Sequence, residues 1–268
     1  MKYNFNIELT DKCNAACPFC DRTLWPENLE QAELTISDIS KFFNGIKVSS
    51  VLFNGLYGDP VFCKDLIPIV EYFNFNKTSI EIATNGSKKG IWKDLAKNNV
   101  YVTFGIDGVT QETHSKHRVG TNLNTILNNA QEFIDAGGRA VWQFIPFKHN
   151  EHAIFEANIK ANGMGFEKFI SRSSRRYNEE CEQPGEITER RKNYKGNTIR
   201  CKYMADNRYQ IMATGRLHRC CYLPYTEDYP YSKDNSLNIK THTFEQILKH
   251  QMWNEIGSWK MCRKHCSV

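Results

Sequence analysis

Strand-like and helix-like stretches take turns along the first two thirds of this chain, and that alternation limits its fold more than any other feature. Apolar, β-rich runs at 3–10, 48–54, 78–84, 100–106 and 140–145, with a weaker one at 166–170, are the expected strands. Amphipathic patterns fill the gaps. The clearest puts Leu123, Ile126, Leu127, Ala130, Phe133 and Ile134 on one face and stops at Gly137-Gly138. Another carries Leu66, Ile67, Ile69, Val70 and Phe73. Strands joined through helices are βαβ units, and their crossovers force neighbouring strands to run parallel. Six units predict an α/β fold with a partial (β/α)6 TIM-like barrel over 1–172, because a closed eight-unit barrel takes about 250 residues for itself. Such a fold builds its site at the C-terminal ends of the strands.

Past residue 172 the pattern breaks. Residues 173–198 are rich in Arg, Glu and Ser, contain Pro184-Gly185, and read as a linker. The basic run Arg172 to Arg176 reads as part of that solvated connection. The tail, 199–268, reads as a small α+β domain. Tyr209–Met212 and Leu217–Cys220 flank a turn at Ala213-Thr214-Gly215, which predicts a hairpin. Thr243 with Gln246 forms a capping-box pair opening a helix with Ile247, Leu248, Met252 and Ile256 on one face. No run of 18 apolar residues exists, so no membrane span is expected, and an N-terminus without a signal-peptide core predicts a cytoplasmic protein. The net charge of +5 permits an anionic partner but fits an ordinary solvated surface, and no RNA-binding motif is present.

In a reducing compartment ten cysteines point to metal or catalysis rather than disulfides. Cys13, Cys17 and Cys20 follow directly on the first strand. Three thiolates from one loop can hold three irons of a cubane and leave the fourth open to a ligand, whereas structural zinc wants four ligands. Cys201, Cys220, Cys262 and Cys266 form a second group. By count, four thiolates suit a fully ligated [4Fe–4S] cluster and an all-thiolate zinc site equally. Cys221 competes with Cys220. Cys63 and Cys181 read as plain thiols.

The run Asp11-Lys12-Cys13-Asn14-Ala15-Ala16-Cys17-Pro18-Phe19-Cys20, a Cys-x3-Cys-x2-Cys pattern with an aromatic before the last thiol, resembles the signature of the radical S-adenosylmethionine (SAM) superfamily. Asn54-Gly55-Leu56-Tyr57-Gly58-Asp59-Pro60 is similar to the family's Gly-Gly-Glu-Pro motif, with Asp59 in place of Glu; its backbone meets the SAM amino group. Ala83-Thr84-Asn85-Gly86 is similar to a turn placed near the SAM ribose. Phe104-Gly105-Ile106-Asp107-Gly108 followed by Arg118 resembles a segment whose Ser and Arg hold the SAM carboxylate, but Gly105 stands where the Ser would be. The resemblance, over about 5–172, implies cofactor contacts from Phe19, Gly58, Asp59, Thr84, Asn85 and Arg118. His114 and His117 read as a solvated helix face. Trp142 and Gln143 lie on the fifth strand, where Trp142 reads equally as pocket wall or core. The Cys-x13-Gly-x4-Cys run from Cys201 to Cys220 resembles the opening of the SPASM and twitch domains, and the tail's five cysteines place it nearer twitch.

The resemblance implies a [4Fe–4S] cluster that cleaves SAM to a 5′-deoxyadenosyl radical, which takes hydrogen from a peptide or small-molecule substrate. Oxidation or cross-linking would follow, with a second, auxiliary [4Fe–4S] cluster as electron acceptor and a flavodoxin or ferredoxin as reductant. Two other readings stay open: a radical SAM enzyme acting on a nucleotide or RNA, and a non-catalytic iron–sulfur or zinc protein. No general base stands out, since Asp59, Glu81 and Asp107 all have readings as turn or strand-end residues.

Overall fold

The period-two runs do form a sheet. In the computed structural model, which describes residues 2–185, 199–225 and 228–266, six strands lie parallel in chain order. They are β1 (Tyr3–Ile7), β2 (Val48–Phe53), β3 (Ser79–Thr84), β4 (Val100–Gly105), β5 (Arg139–Phe144) and β6 (Lys168–Ser171). The crossovers carry α1 (Asp21–Leu24), α2 (Ile36–Phe43), α3 (Leu66–Phe75), α4 (Trp92–Ala96), α5 (Gln111–Ser115), α6 (Leu123–Asp135) and α7 (Ile154–Met164). α6 starts where the Asn122 side chain accepts from the Thr125 amide, and the chain leaves it through Gly137 at φ +88°. α2, which the sequence reading did not single out, opens with a full capping box between Thr35 and Asp38.

The sheet does not close: its described order is β6-β5-β4-β3-β2-β1-β7-β8. The hairpin expected in the tail is present as β7 (Arg208–Ile211) and β8 (Leu217–His218), antiparallel to each other. It does not stand apart. β7 runs parallel to β1, with Phe5 opposite Tyr209 and Ile7 opposite Ile211, so the tail continues the barrel sheet. α8 (Lys202–Ala205) leads into β7; α9 (Phe244–Leu248) and α10 (Lys260–Cys266) follow the hairpin. The helix expected from Thr243 to Ile256 is interrupted. His250 takes an extended conformation and its Nδ1 accepts from the Met252 amide, so a separate 3-10 turn begins at Gln251.

Phe5, Phe53, Ile82, Trp92, Phe104, Phe133 and Trp142 are fully buried between sheet and helices. Each contributes roughly 1.5–3 kcal/mol or more by leaving water. Trp142 is core: it meets Phe166 edge-to-face, and its Nε1 donates to the Ile106 carbonyl at 2.9 Å. The described part of the expected linker is not simply solvated. Cys181 is fully buried, and the Lys148 amide donates to the Glu182 carbonyl. Arg176 reaches the first cysteine loop. The rest of the linker, 186–198, lies outside the described residues.

Candidate active site

The first cysteine loop leaves β1 at the C-terminal edge of the sheet and ends at α1. Cys20 is the N-cap of α1, with the Thr23 and Leu24 amides donating to its carbonyl. The sulfurs sit in one field. Burial pushes the Cys13 thiol up to about 12 and Cys20 up to about 11, and neighbouring thiols add to it. Burial raises Cys17 too, opposed by the Arg118 guanidinium beside it. Thiols this reluctant to ionise become ligands when a metal takes their proton's place. Three soft donors on one loop fit an iron–sulfur cubane with one open iron.

The loop after β2 closes on itself. A Cβ at Gly55 would lie 1.4 Å from the Gly58 carbonyl oxygen, and one at Gly58 would lie 1.9 Å from that of Thr10. Only glycine permits either approach. Asp59 points inward. Its carboxylate accepts from Thr84 Oγ1 at 2.7 Å, the Asn85 amide at 2.6 Å and the Val61 amide at 3.2 Å. Burial raises its pKa against those bonds. Asp59 and Thr84 therefore pin the turn after β2 to the turn after β3, and their polar groups are spent on each other. The Asn85 side chain is turned to the cysteine loop. Its Nδ2 donates to Asn14 Oδ1 at 3.0 Å and to Cys13 Sγ at 3.5 Å.

Asp107, fully buried after β4, is the hub of the next strand end. Arg118 Nε donates to its Oδ2 at 2.6 Å and His117 Nδ1 meets the same oxygen at 2.7 Å. The Ile145 amide donates to Oδ1 at 2.7 Å. Burial works against the carboxylate's charge, but Arg118 and His117 outweigh it and hold Asp107 well below the usual range. Gly105 is explained by the same contact. The Arg118 guanidinium lies across it, with Nη2 only 2.7 Å from where a Cβ would stand.

The two histidines are not on a solvated face. His114 is fully buried and His117 nearly so, because α5 packs back onto the end of β4. His114 Nδ1 accepts from the Asp107 amide, so its Nε2–H donates to Thr121 Oγ1 at 2.9 Å and the ring is neutral. Burial lowers its pKa to about 4. His117 lies between Phe147 and Phe19, at 4.8 Å and 5.9 Å between ring centres. That fixes Phe19 against the barrel.

Glu8, at the end of β1, escaped the sequence reading. It is 1% exposed, and its Oε1 accepts from the Leu56, Tyr57 and Gly58 amides at 2.8, 2.6 and 3.2 Å. Burial raises its pKa to about 7 against these bonds and one from the Ala213 backbone. Nothing in its local sequence marks it, because the loop that covers it comes from 48 residues away.

The tail thiols converge as well. Cys262 and Cys266 are i, i+4 on α10, on one helix face. The Arg200 amide donates to the Cys266 carbonyl at 2.8 Å, and the Cys266 thiol hydrogen-bonds to Cys201. Burial pushes Cys220 up to about 12, with Cys221 and Cys201 adding to it. Cys221 is engaged by the Tyr203 hydroxyl. Among the described residues, neither thiol group is drawn in around a single ion. Cys63 and Cys181 are buried, their thiols donating to the Leu34 and Lys116 carbonyls.

A partial parallel barrel with three thiols on the loop after its first strand, and a tight glycine-containing turn facing them, defines the class: an open α/β barrel with its site at the strand ends. The family model of the radical SAM superfamily matches residues 7–154, more than half of the chain, and the chain belongs to that superfamily. Its fold is similar to that of SuiB from Streptococcus suis bound to the precursor peptide SuiA. The TM-score is 0.69 at 14% identity, over 97% of this chain and 67% of that one. It is also similar to anSMEcpe with bound AdoMet and the Cp18Cys peptide, with a TM-score of 0.61 at 15% identity over 98% and 84%. Among curated relatives, an S-adenosylmethionine-dependent nucleotide dehydratase from Selenomonas ruminantium is 32% identical over 89 residues, 32% of this chain and 31% of its own length. A GTP 3′,8-cyclase from Pasteurella multocida is 31% identical over 112 residues, 38% and 33% of the two lengths. The match thus spans about a third of each curated relative. SAM and one [4Fe–4S] cluster are the cofactors the family implies. Among the described residues no helix is long and apolar enough to cross a membrane.

Proposed function

We propose that the chain cleaves SAM reductively on a cluster held by Cys13, Cys17 and Cys20, and uses the resulting radical to oxidise or cross-link a peptide. The observation that carries this is the three-thiol loop facing the Gly55–Gly58 turn, within a family whose model spans the whole of that constellation. When bound, the cluster and SAM supply a 5′-deoxyadenosyl radical that abstracts hydrogen. The protein's part is to bind and to shield. Gly55 and Gly58 let the backbone come close. Asp59 and Thr84 fix the two turns relative to each other. Asn85 braces Cys13, and Phe19 walls the loop against Phe147. Arg118 is the cation for the SAM carboxylate: Asp107 holds its Nε, and the guanidinium also engages Cys17.

A peptide substrate is favoured by the two solved structures of like fold, each described with a bound peptide. A nucleotide is the second reading, favoured by the names of the two curated relatives. For the tail, 199–268 beyond the 173–198 linker, we propose an auxiliary [4Fe–4S] cluster on Cys201, Cys220, Cys262 and Cys266. Cys220 is preferred to Cys221 because Tyr203 already occupies the latter. With all four irons cysteine-bound, such a cluster would accept an electron rather than bind substrate. A flavodoxin or ferredoxin would deliver the first electron.

Anaerobic reconstitution tests this. About eight irons per chain and 5′-deoxyadenosine formation are expected, with Cys17→Ala abolishing turnover and Cys262→Ala removing about four irons. About four irons with bound zinc would defeat the auxiliary cluster; 5′-deoxyadenosine formation that survives Cys17→Ala would defeat the whole reading.

A further inference from the structure

The loop after β2 has a definite electrical sense, and one side chain sets it. Glu8 Oε1 takes three successive amides, those of Leu56, Tyr57 and Gly58. A trans peptide unit points its N–H and C=O in opposite directions. With the Tyr57 and Gly58 amides turned inward to Glu8, the Leu56 and Tyr57 carbonyls must point outward. They do: the Cys20 thiol lies 3.4 Å from the Leu56 oxygen, and Arg22 Nη1 lies 3.5 Å from that of Tyr57. The face turned to the cysteine loop is thus a pair of acceptors. The carboxylate that turns them is buried on the opposite side.

A pair of outward carbonyls is complementary to a cationic donor such as an ammonium group, and Arg22 already meets one of them only at long range. We propose that Glu8 is the positioning residue for the amino group of SAM: it holds the Leu56 and Tyr57 carbonyls toward the cluster side and never touches the cofactor. This rests on the reading that the Gly55–Asp59 turn receives SAM. The same carboxylate takes the Ala213 amide at the hairpin turn, and the Glu8 amide donates to the Ile211 carbonyl at 2.9 Å. Glu8 therefore also ties the SAM turn to the β7–β8 hairpin. Without its charge, nothing described would hold three parallel amides pointing into the protein, and the turn would relax toward mixed orientations.

The test uses the full chain, anaerobically reconstituted and held at about pH 8 so that Glu8 is ionised, with two probes: SAM and its analogue lacking the amino group. Binding is read from the change in the EPR spectrum of the reduced cluster. Wild type should prefer SAM by roughly ten- to a hundredfold, the worth of a charge-assisted hydrogen bond or two. Glu8→Gln, nearly the same shape, should keep its iron and lose most of that preference; Glu8→Asp, one methylene short, should lose part. A merely structural role would weaken both probes alike and leave the preference standing, which would overturn the proposal. So would loss of the cluster from both variants with the barrel's circular dichroism unchanged, since Glu8 would then serve the cysteine loop instead. A wild type whose cluster ignores SAM would sink the reading of the site itself, a different outcome from either.

Discussion

Restoring the hydroxyl that the family resemblance would place at position 105 should damage this protein. In Gly105→Ser the new Cβ falls 2.7 Å from Arg118 Nη2, 2.9 Å from Cζ and 3.1 Å from Nη1. The guanidinium is not a free end that can swing aside. Its Nε is held by Asp107 at 2.6 Å, and Asp107 is held by the Ile145 amide at 2.7 Å and by His117. Either Arg118 moves and the buried pair opens, or β4 moves within a sheet that pairs Gly105 with Gln143. Overpacking of this kind costs about 1–3 kcal/mol, and opening the pair would approach about 3–5 kcal/mol. Urea unfolding under anaerobic, reducing conditions should show a lower midpoint at unchanged slope. Gly105→Ala should cost as much as Ser, because the clash belongs to the Cβ and not the hydroxyl. Stability of both within about 0.5 kcal/mol of wild type would refute the reasoning.

Asp107→Asn should cost about 3–5 kcal/mol by leaving Arg118 buried without its partner. Because the folded pKa is depressed, that penalty should be constant above the ordinary carboxylate range and begin to shrink once the pH falls below it, which a urea series from pH 8 to 2 would resolve. For Glu8 the sign is opposite. Its folded pKa, raised to about 7, means the folded state keeps a proton the unfolded chain has released above about 4.3. Wild-type stability should therefore fall, by up to about 3 kcal/mol, as pH rises from about 4.5 to 7, and Glu8→Gln should flatten that slope. Gly58→Ala sets a Cβ 1.9 Å from the Thr10 carbonyl, backbone against which nothing can yield. It should abolish the SAM-induced change in the cluster's EPR spectrum while most of the iron remains; unchanged SAM binding would count against the close approach.

The chain's own pattern was enough for the barrel. Period-two runs and one-sided helices lie in short windows, and parallel pairing follows once helices separate the strands. The cysteine loop was legible for the same reason: three thiols within eight residues fall on one loop whatever the rest of the chain does. What the sequence could not assign were groups whose partners come from far along the chain. His114 and His117 look like a polar helix face until α5 folds onto the end of β4 and buries them around Asp107. Asp59 looks like a residue of its own turn until Thr84 and Asn85, 25 and 26 positions on, take up its oxygens. Glu8 is unremarkable on its strand until three amides close over it, and β7 joins β1 across some two hundred residues of chain. Burial of a polar group, and the choice of its partner, are made by packing; only the tertiary structure brings the two ends of such a contact together.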